Sequence, residues 1–363
     1  MLDFFPNHSA HDCLWAYSNP DMYILAPKDT VDENRYSQSG FAYGSEKGHT
    51  PWKDVIQFNY CNNKTLEEMK NNLVRVLTLA DAVRCDTAVL ELNDVFEEAW
   101  KIELDAYNYS RPEEEFWSIA IKAAKEVNPG AIFLGESYSP EHNQKLIELG
   151  FNYVYEKLLY DSVKADPEAI RDYIKNVNKT FLDSSRHFVE NNNLERILGL
   201  FEGNFKKAMA AGTIGATVGG MIFVYHEQWE GKKNQLIIQL RRAADEDDNS
   251  EVKNYYRKLN QVLKEPAFRS SNIYLVDNMT GDKKDDFVSY IKEEGDNHFL
   301  VVVNYSDYKG CAKVPIYNIK GYRYCLLYDA LNSHEFAKEI KDVKNGMEVC
   351  LEAWESKIFK YNY

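Results

Sequence analysis

The chain has 363 residues, 44% of them hydrophobic and 28% charged, which is enough for a large core in one or two domains. Its net charge of −14 argues against nucleic acid or an anionic membrane as the main partner, because both are met with basic patches. No apolar run approaches the ~20 residues of a membrane-spanning helix.

The opening "MLDFFPNHSAHD" lacks the charged start and long apolar core of a signal peptide. Its first seven useful residues read as a short strand, "LDFFPNH". Residues 9–62 follow, rich in Asn, Asp, Tyr, Gly and Ser with little periodicity, and read as a long excursion between a strand and a helix. Its aromatic residues Trp15, Tyr17, Tyr23, Tyr36, Phe41, Tyr43 and Trp52 are candidates for packing or for stacking on a ligand.

From residue 63 strands and helices alternate. "TLEEMKNNLVRVLTLA" has Thr65 and Glu68 as a capping box and Leu66, Met69, Leu73 and Val76 on one helical face. "DAVRC" is a strand, "RPEEEFWSIAIKAAKEV" a helix and "AIFLGE" a strand. "SPEHNQKLIELG" is a helix closed by Gly150. "FNYVYEKLLY" is a strand, "DPEAIRDYIKNV" a helix, "RHFVE" a strand, "FKKAMAAGTIGA" a helix, "GGMIFVY" a strand and "SEVKNYYRKLNQVLKE" the last helix. Short, wholly apolar strands between amphipathic helices predict a parallel sheet buried on both faces, and five or more in succession suggest a β/α barrel. Past about Pro266 the segments "NIYLVDN", "DFVSYIK", "HFLVVVNYS", "CAKVPIY", "RYCLLYDA" and "MEVCLEAWESKIFKY" predict a separate β-sandwich over 266–363. The six cysteines (Cys13, Cys61, Cys85, Cys311, Cys325, Cys350) include no CxxC pair and read as free buried thiols.

In a β/α barrel the working groups stand at the C-terminal ends of the strands. Those ends carry Asn7 and His8, then Arg84 and Asp86, then Glu136, then Asn191, Asn192 and Asn193, then His226, Glu227 and Gln228. An Asp and a Glu at the ends of successive strands suit a glycosidase. One carboxylate attacks the anomeric carbon and the other protonates the leaving oxygen, at a separation of ~5–5.5 Å when configuration is retained. Arg84, two residues before Asp86, points the same way and is expected to keep that carboxylate ionised. Glu136, after an apolar strand, is expected to titrate high, as a general acid requires. Each also has a plain structural use, Arg84–Asp86 as an ion pair, Glu136 as a solvated side chain and His8 as a turn residue.

"LDFFPNH", "DAVRCDTAVL", "FLGESY" and "FVENNNLERI" resemble, in order, the four short regions of the α-amylase family of glycoside hydrolases (family 13). "WKDVIQFNY", "NYVYEKLLYD" and "VYHEQWEGKK" resemble further segments of it. The resemblance implies a (β/α)8 barrel with an excursion after the third strand and a C-terminal β-sandwich. On that basis residues 1–8 end barrel strand 3, residues 9–62 are the excursion, residues 63–265 hold strands 4 to 8, and the first two strands are expected to be missing. It implies retaining cleavage or transfer of α-glucosidic bonds in starch, glycogen or maltooligosaccharides, with Asp86 as nucleophile, Glu136 as acid/base, and Arg84 and His8 as substrate contacts. The fourth region of the family reads Asn-His-Asp, whereas this chain has Asn191, Asn192 and Asn193, so Asn192 and Asn193 stand where a sugar-binding His and a transition-state Asp are expected. Glu190 points away from Asn193 on an extended strand, while Glu195 is a candidate to replace the lost charge. A calcium ion is common in the family and Asn7 matches one ligand position. "CDTAVL", however, lacks the Lys-His pair of many calcium-binding members, so no cofactor is expected to be required. A start inside the third strand leaves export open. The alternative to an enzyme is a saccharide-binding protein or inactive fragment on the same fold.

Overall fold

The computed structural model describes residues 1–361 apart from 238, 239, 241, 244, 282, 283 and 322, and the expected domains 63–265 and 266–363 are read without these and without 362 and 363. The chain divides into two compact units, Met1–Tyr155 and Glu156–Tyr363.

In the first unit the strands Leu2–Phe4, Ala82–Cys85, Ile132–Gly135 and Tyr153–Glu156 run parallel and pair in that order. Their register sets Phe4, Cys85 and Gly135 level, so the residues after them emerge from one end of the sheet. Helices Asn63–Leu77 and Phe116–Val127 pack on each other with apolar faces that include Leu73 and Trp117, both fully buried. The first of these helices is capped by Asn62, whose Oδ1 accepts from Lys64 N–H at 2.9 Å, and not by Thr65. Asn caps as well as Thr does, and Thr65 is buried one turn further on, donating to the Met22 carbonyl at 3.1 Å. Helix Asn93–Ala106 is absent from the sequence-based reading. Its stripe of Phe96, Trp100 and Leu104 is threaded between acids, which hid the period. One of those acids, Glu103, is buried and anchors the excursion by accepting from Arg35 and from the Tyr36 hydroxyl at 2.6 Å. The excursion itself forms a three-stranded sheet from His8–Ala10, Trp52–Gln57 and Tyr43–Gly44. Tyr23, stacked on Phe58 at 4.6 Å, and Tyr36 are buried in it as packing residues.

In the second unit the expected strand "FNYVYEKLLY" stops at Glu156, and Lys157–Ala165 is a helix. The Glu156 carboxylate accepts from Leu158 N–H at 2.7 Å, an N-cap that ends the strand. Strand Ser185–His187 pairs in parallel with Met221–Ile222. Parallel strands alternating with helices in both units fit a partial (β/α) barrel. Six antiparallel strands follow, in the order Ile273–Leu275, Phe287–Glu294, Asn297–Asn304, Ser356–Tyr361, Tyr324–Asp329 and His334–Glu339, with a two-stranded sheet of Gly310–Val314 and Met347–Leu351. The run "FLVVV" is apolar at every position because both faces of its strand are buried. Leu300 and Val302 share a core with Val314 and Val349, while Phe299, Val301 and Val303 share one with Ile214 and Leu259. Packing is therefore continuous across residue 266.

Not all six cysteines are free thiols. Cys311 and Cys350 stand opposite one another on the two-stranded sheet and form a disulfide. Their separation of 39 residues gave no hint of this, since only strand register brings them together. Closing a loop of that length is expected to contribute about 3–4 kcal/mol. In a nonreducing denaturant only Cys13, Cys61, Cys85 and Cys325 are expected to react with an alkylating reagent, and reduction is expected to lower the melting temperature. Reaction of all six would remove the crosslink from the account.

Candidate active site

The first unit assembles a charged cluster at the C-terminal ends of its strands. The Asp86 N–H donates to the Phe4 carbonyl and the Glu136 N–H to the Cys85 carbonyl, both at 2.9 Å, so ladder bonds fix each backbone one residue past its strand. Arg84 projects from the middle strand, which pairs with Asp3 on one side and Leu134 on the other. Its guanidinium spans three carboxylates. Nη1 donates to Asp86 Oδ1 at 2.6 Å and to the two Asp3 oxygens at 3.0 and 3.1 Å, and Nη2 lies 2.6 Å from Glu136 Oε2. Nε donates to the Tyr155 hydroxyl at 3.2 Å.

Glu136 is 1% exposed. Its Oε2 accepts from Thr87 N–H at 3.0 Å and its Oε1 from the Tyr138 hydroxyl at 3.2 Å. Thr87 takes a left-handed conformation, φ 47°, which a β-branched residue adopts only under constraint. That turn aims the Thr87 N–H at Glu136 immediately after Asp86. Asp86 and Glu136 are held by the two ends of the same guanidinium, each at 2.6 Å. Burial, and then the charge of Glu136, push Asp86 up to about 7 against the pull of Arg84. The expectation that Arg84 would hold Asp86 low is thus reversed, because one guanidinium is divided among three acids in a site with little water.

His8 is held at the edge of this cluster. Its ring packs edge-on to Trp52 at 5.5 Å, and burial lowers its pKa against the nearby charges of Asp54 and Glu136. Asn7 Nδ2 donates to His8 Nδ1 at 3.2 Å, which leaves the proton of the neutral ring on Nε2. Asn7 Oδ1 accepts from Gln57 Nε2 at 2.8 Å, so the oxygen expected as a metal ligand is engaged within the protein. The group facing that oxygen is the NH2 of a buried neutral amide, a donor that stands where a cation would have to sit.

The structure brings Arg84, Asp86, Glu136 and His8 into the first unit. Asn192 and Asn193 belong to the second. There Asn191 Oδ1 accepts from the Asn193 and Leu194 N–H groups at 2.9 and 3.0 Å, a side-chain turn that follows the strand. Asn192 Nδ2 donates to Asn193 Oδ1 at 3.0 Å, and Asn193 is exposed. Glu190 is committed elsewhere, accepting from Arg196 at 2.9 Å and from Ile197 N–H at 2.7 Å. Sequence reasoning missed Asp3, Tyr138 and Tyr155. Asp3 was findable, since it sits one strand over from Arg84 in register. Tyr138 was findable too, two residues after Glu136, whereas the Tyr155 hydroxyl reaches the cluster from another strand.

No protein-family model matches the chain, and no curated protein matches it. Solved structures do. A maltogenic α-amylase from Thermotoga neapolitana superposes with a TM-score of 0.72 at 19% identity, over 100% of this chain and 77% of that one. An α-amylase from Geobacillus thermoleovorans, solved with acarbose, gives 0.71 at 16% identity over 100% and 77%. An acarbose-soaked debranching enzyme from Nostoc punctiforme gives 0.70 at 14% identity over 99% and 75%. This chain has the fold of the α-amylases and of this debranching enzyme.

Proposed function

We propose that the chain is an α-amylase-like glycoside hydrolase acting on α-glucosidic bonds by a retaining double displacement, on a (β/α)8-type barrel. The observation that carries this reading is the pairing of Asp86 and Glu136 at the ends of adjacent strands, gripped by one guanidinium. Neighbouring parallel strands lie about 4.8 Å apart, so the ~5–5.5 Å a retaining mechanism uses is within reach. An Asp86 oxygen forms a bond to the anomeric carbon as the glycosidic C–O bond breaks, and the Glu136 proton passes to the leaving oxygen. Glu136, now a base, takes a proton from water, whose oxygen displaces Asp86 and restores both groups. His8, neutral and with Nε2–H free to donate, suits a sugar hydroxyl. Neighbours solved with acarbose support an oligosaccharide as ligand.

The test is reducing-sugar release from soluble starch and maltoheptaose by the purified chain and by Glu136→Gln. Release that persists unchanged in Glu136→Gln would sink the assignment. The value of kcat/KM is expected to climb with pH up to about 7, where Asp86 loses its proton and becomes able to attack. A profile flat from pH 5 to 8 would contradict this. A second reading, a saccharide binder without turnover, is favoured by the amide at Asn193. It predicts maltoheptaose binding by calorimetry with no sugar released.

A further inference from the structure

We propose that the Gln57 side-chain amide does, beside Asn7, the structural work of a calcium ion at the ligand position that Asn7 matches, so that the first unit is built to stand without the metal. Gln57 is fully buried at the end of the strand Trp52–Gln57, paired with His8. Its Nε2 donates to three oxygens, Asn7 Oδ1 at 2.8 Å, the Asn7 carbonyl at 2.9 Å and the Phe58 carbonyl at 3.2 Å. Three oxygens converging on one buried point is how a protein holds a hard cation. Here the point is occupied by the positive end of an amide dipole. The orientation is fixed by chemistry, since turning the amide over would set Oε1 against three acceptors. It leaves Gln57 Oε1 without a hydrogen-bond partner among the described residues, so the contact on the Nε2 side is the one the fold favours.

The surroundings match a neutral plug. Asn59 is a buried amide, and the Tyr60 hydroxyl donates to the Pro6 carbonyl at 2.9 Å. A dication at this point would meet the Asn7 side-chain and carbonyl oxygens and the Phe58 carbonyl, none of which carries a charge. The plug also orders the cluster above it. With Asn7 Oδ1 taken, the Asn7 NH2 faces His8 Nδ1, so Gln57 fixes the tautomer of His8 through Asn7. Gln57 is a positioning residue in this scheme, one contact removed from the ring it orients.

The experiment compares metal content and melting temperature after dialysis against chelator and against calcium chloride, for the parent chain and for Gln57→Asp. Both readouts are independent of the proposed glycosidase activity. The parent is expected to hold far less than one calcium per chain and to melt within about 1 °C in the two buffers, a difference smaller than the loss of one hydrogen bond would produce. Gln57→Asp removes the plug, leaves room and supplies a carboxylate. It is expected to melt about 3–6 °C lower in chelator, to recover part of that loss in calcium chloride, and to bind the ion. A stoichiometric calcium in the parent whose removal lowers its melting temperature overturns the proposal. So does a Gln57→Asp chain that folds and is indifferent to calcium. Should that variant fail to fold, the parent comparison decides alone.

Discussion

Asp86→Asn is expected to melt higher than the parent at pH 8 while losing roughly 10³-fold or more of any turnover. The two effects share one cause. Asp86 is pushed up to about 7 in the folded chain, by burial first and by Glu136 second, against ~3.9 when unfolded. The folded state therefore binds the proton more tightly than the unfolded state. The stability this contributes is complete below the unfolded value and is lost as the pH rises through 7. Above pH 7 Asp86 adds its charge to a buried cluster that shares one guanidinium, and removing that charge with an isosteric amide is expected to relieve roughly 2–3 kcal/mol. Near pH 4 the advantage should vanish, since Asp86 is then protonated in the fold. Thermal melts of both chains at pH 4 and pH 8 check this. Equal melting temperatures at pH 8 would mean that Arg84 compensates the cluster fully. Such a trade is what a site strained toward chemistry looks like.

Asn193→Asp is expected to raise starch hydrolysis by about 10²–10³-fold. The resemblance assigns this position to an acid that helps distort the sugar and stabilise positive charge on the ring. An amide of the same shape hydrogen-bonds hydroxyls but places no negative charge beside an oxocarbenium-like centre. Asn193 is exposed on the turn set by Asn191, so the substitution costs little stability and its effect should appear in kcat. Release of maltooligosaccharides by the two chains, compared at saturating starch, measures it. No change would mean that another group, Glu195 being the candidate, supplies the charge, or that position 193 takes no part in turnover.

The alternation of strands and helices was legible because strands buried on both faces write themselves as unbroken apolar runs, as in the parallel "AIFLG", and the antiparallel "FLVVV" was legible for the same reason. Arg84, Asp86 and Glu136 were legible for the related reason that strand ends are easy to find and two-residue spacing keeps side chains on one face. What was not legible came from contacts that no local pattern encodes. Asp3 meets Arg84 through strand register. Tyr155 reaches it from a strand 71 residues further along. Cys311 finds Cys350 the same way. The titration of Asp86 was misjudged because a sequence shows an arginine two residues away and does not show how many acids that arginine must serve.

Glu91 lies at the end of the short turn Ala88–Glu91 that follows Asp86, fully buried, and neither of its carboxyl oxygens accepts a hydrogen bond from another of the described residues. Burial, and then the charge of Asp86, hold it well above the ordinary carboxylate range. A carboxylic acid that stays neutral in a dry interior has an isolated carbonyl vibration, free of the hydrogen-bond broadening that blurs every surface acid. Difference infrared spectra against Glu91→Gln should isolate that band. Its frequency should step once between pH 5 and 8, when a charge appears on Asp86 nearby, by the Stark effect of the new field. The fold has in this way placed a native voltmeter near Asp86, one that reads the site without label, ligand or turnover.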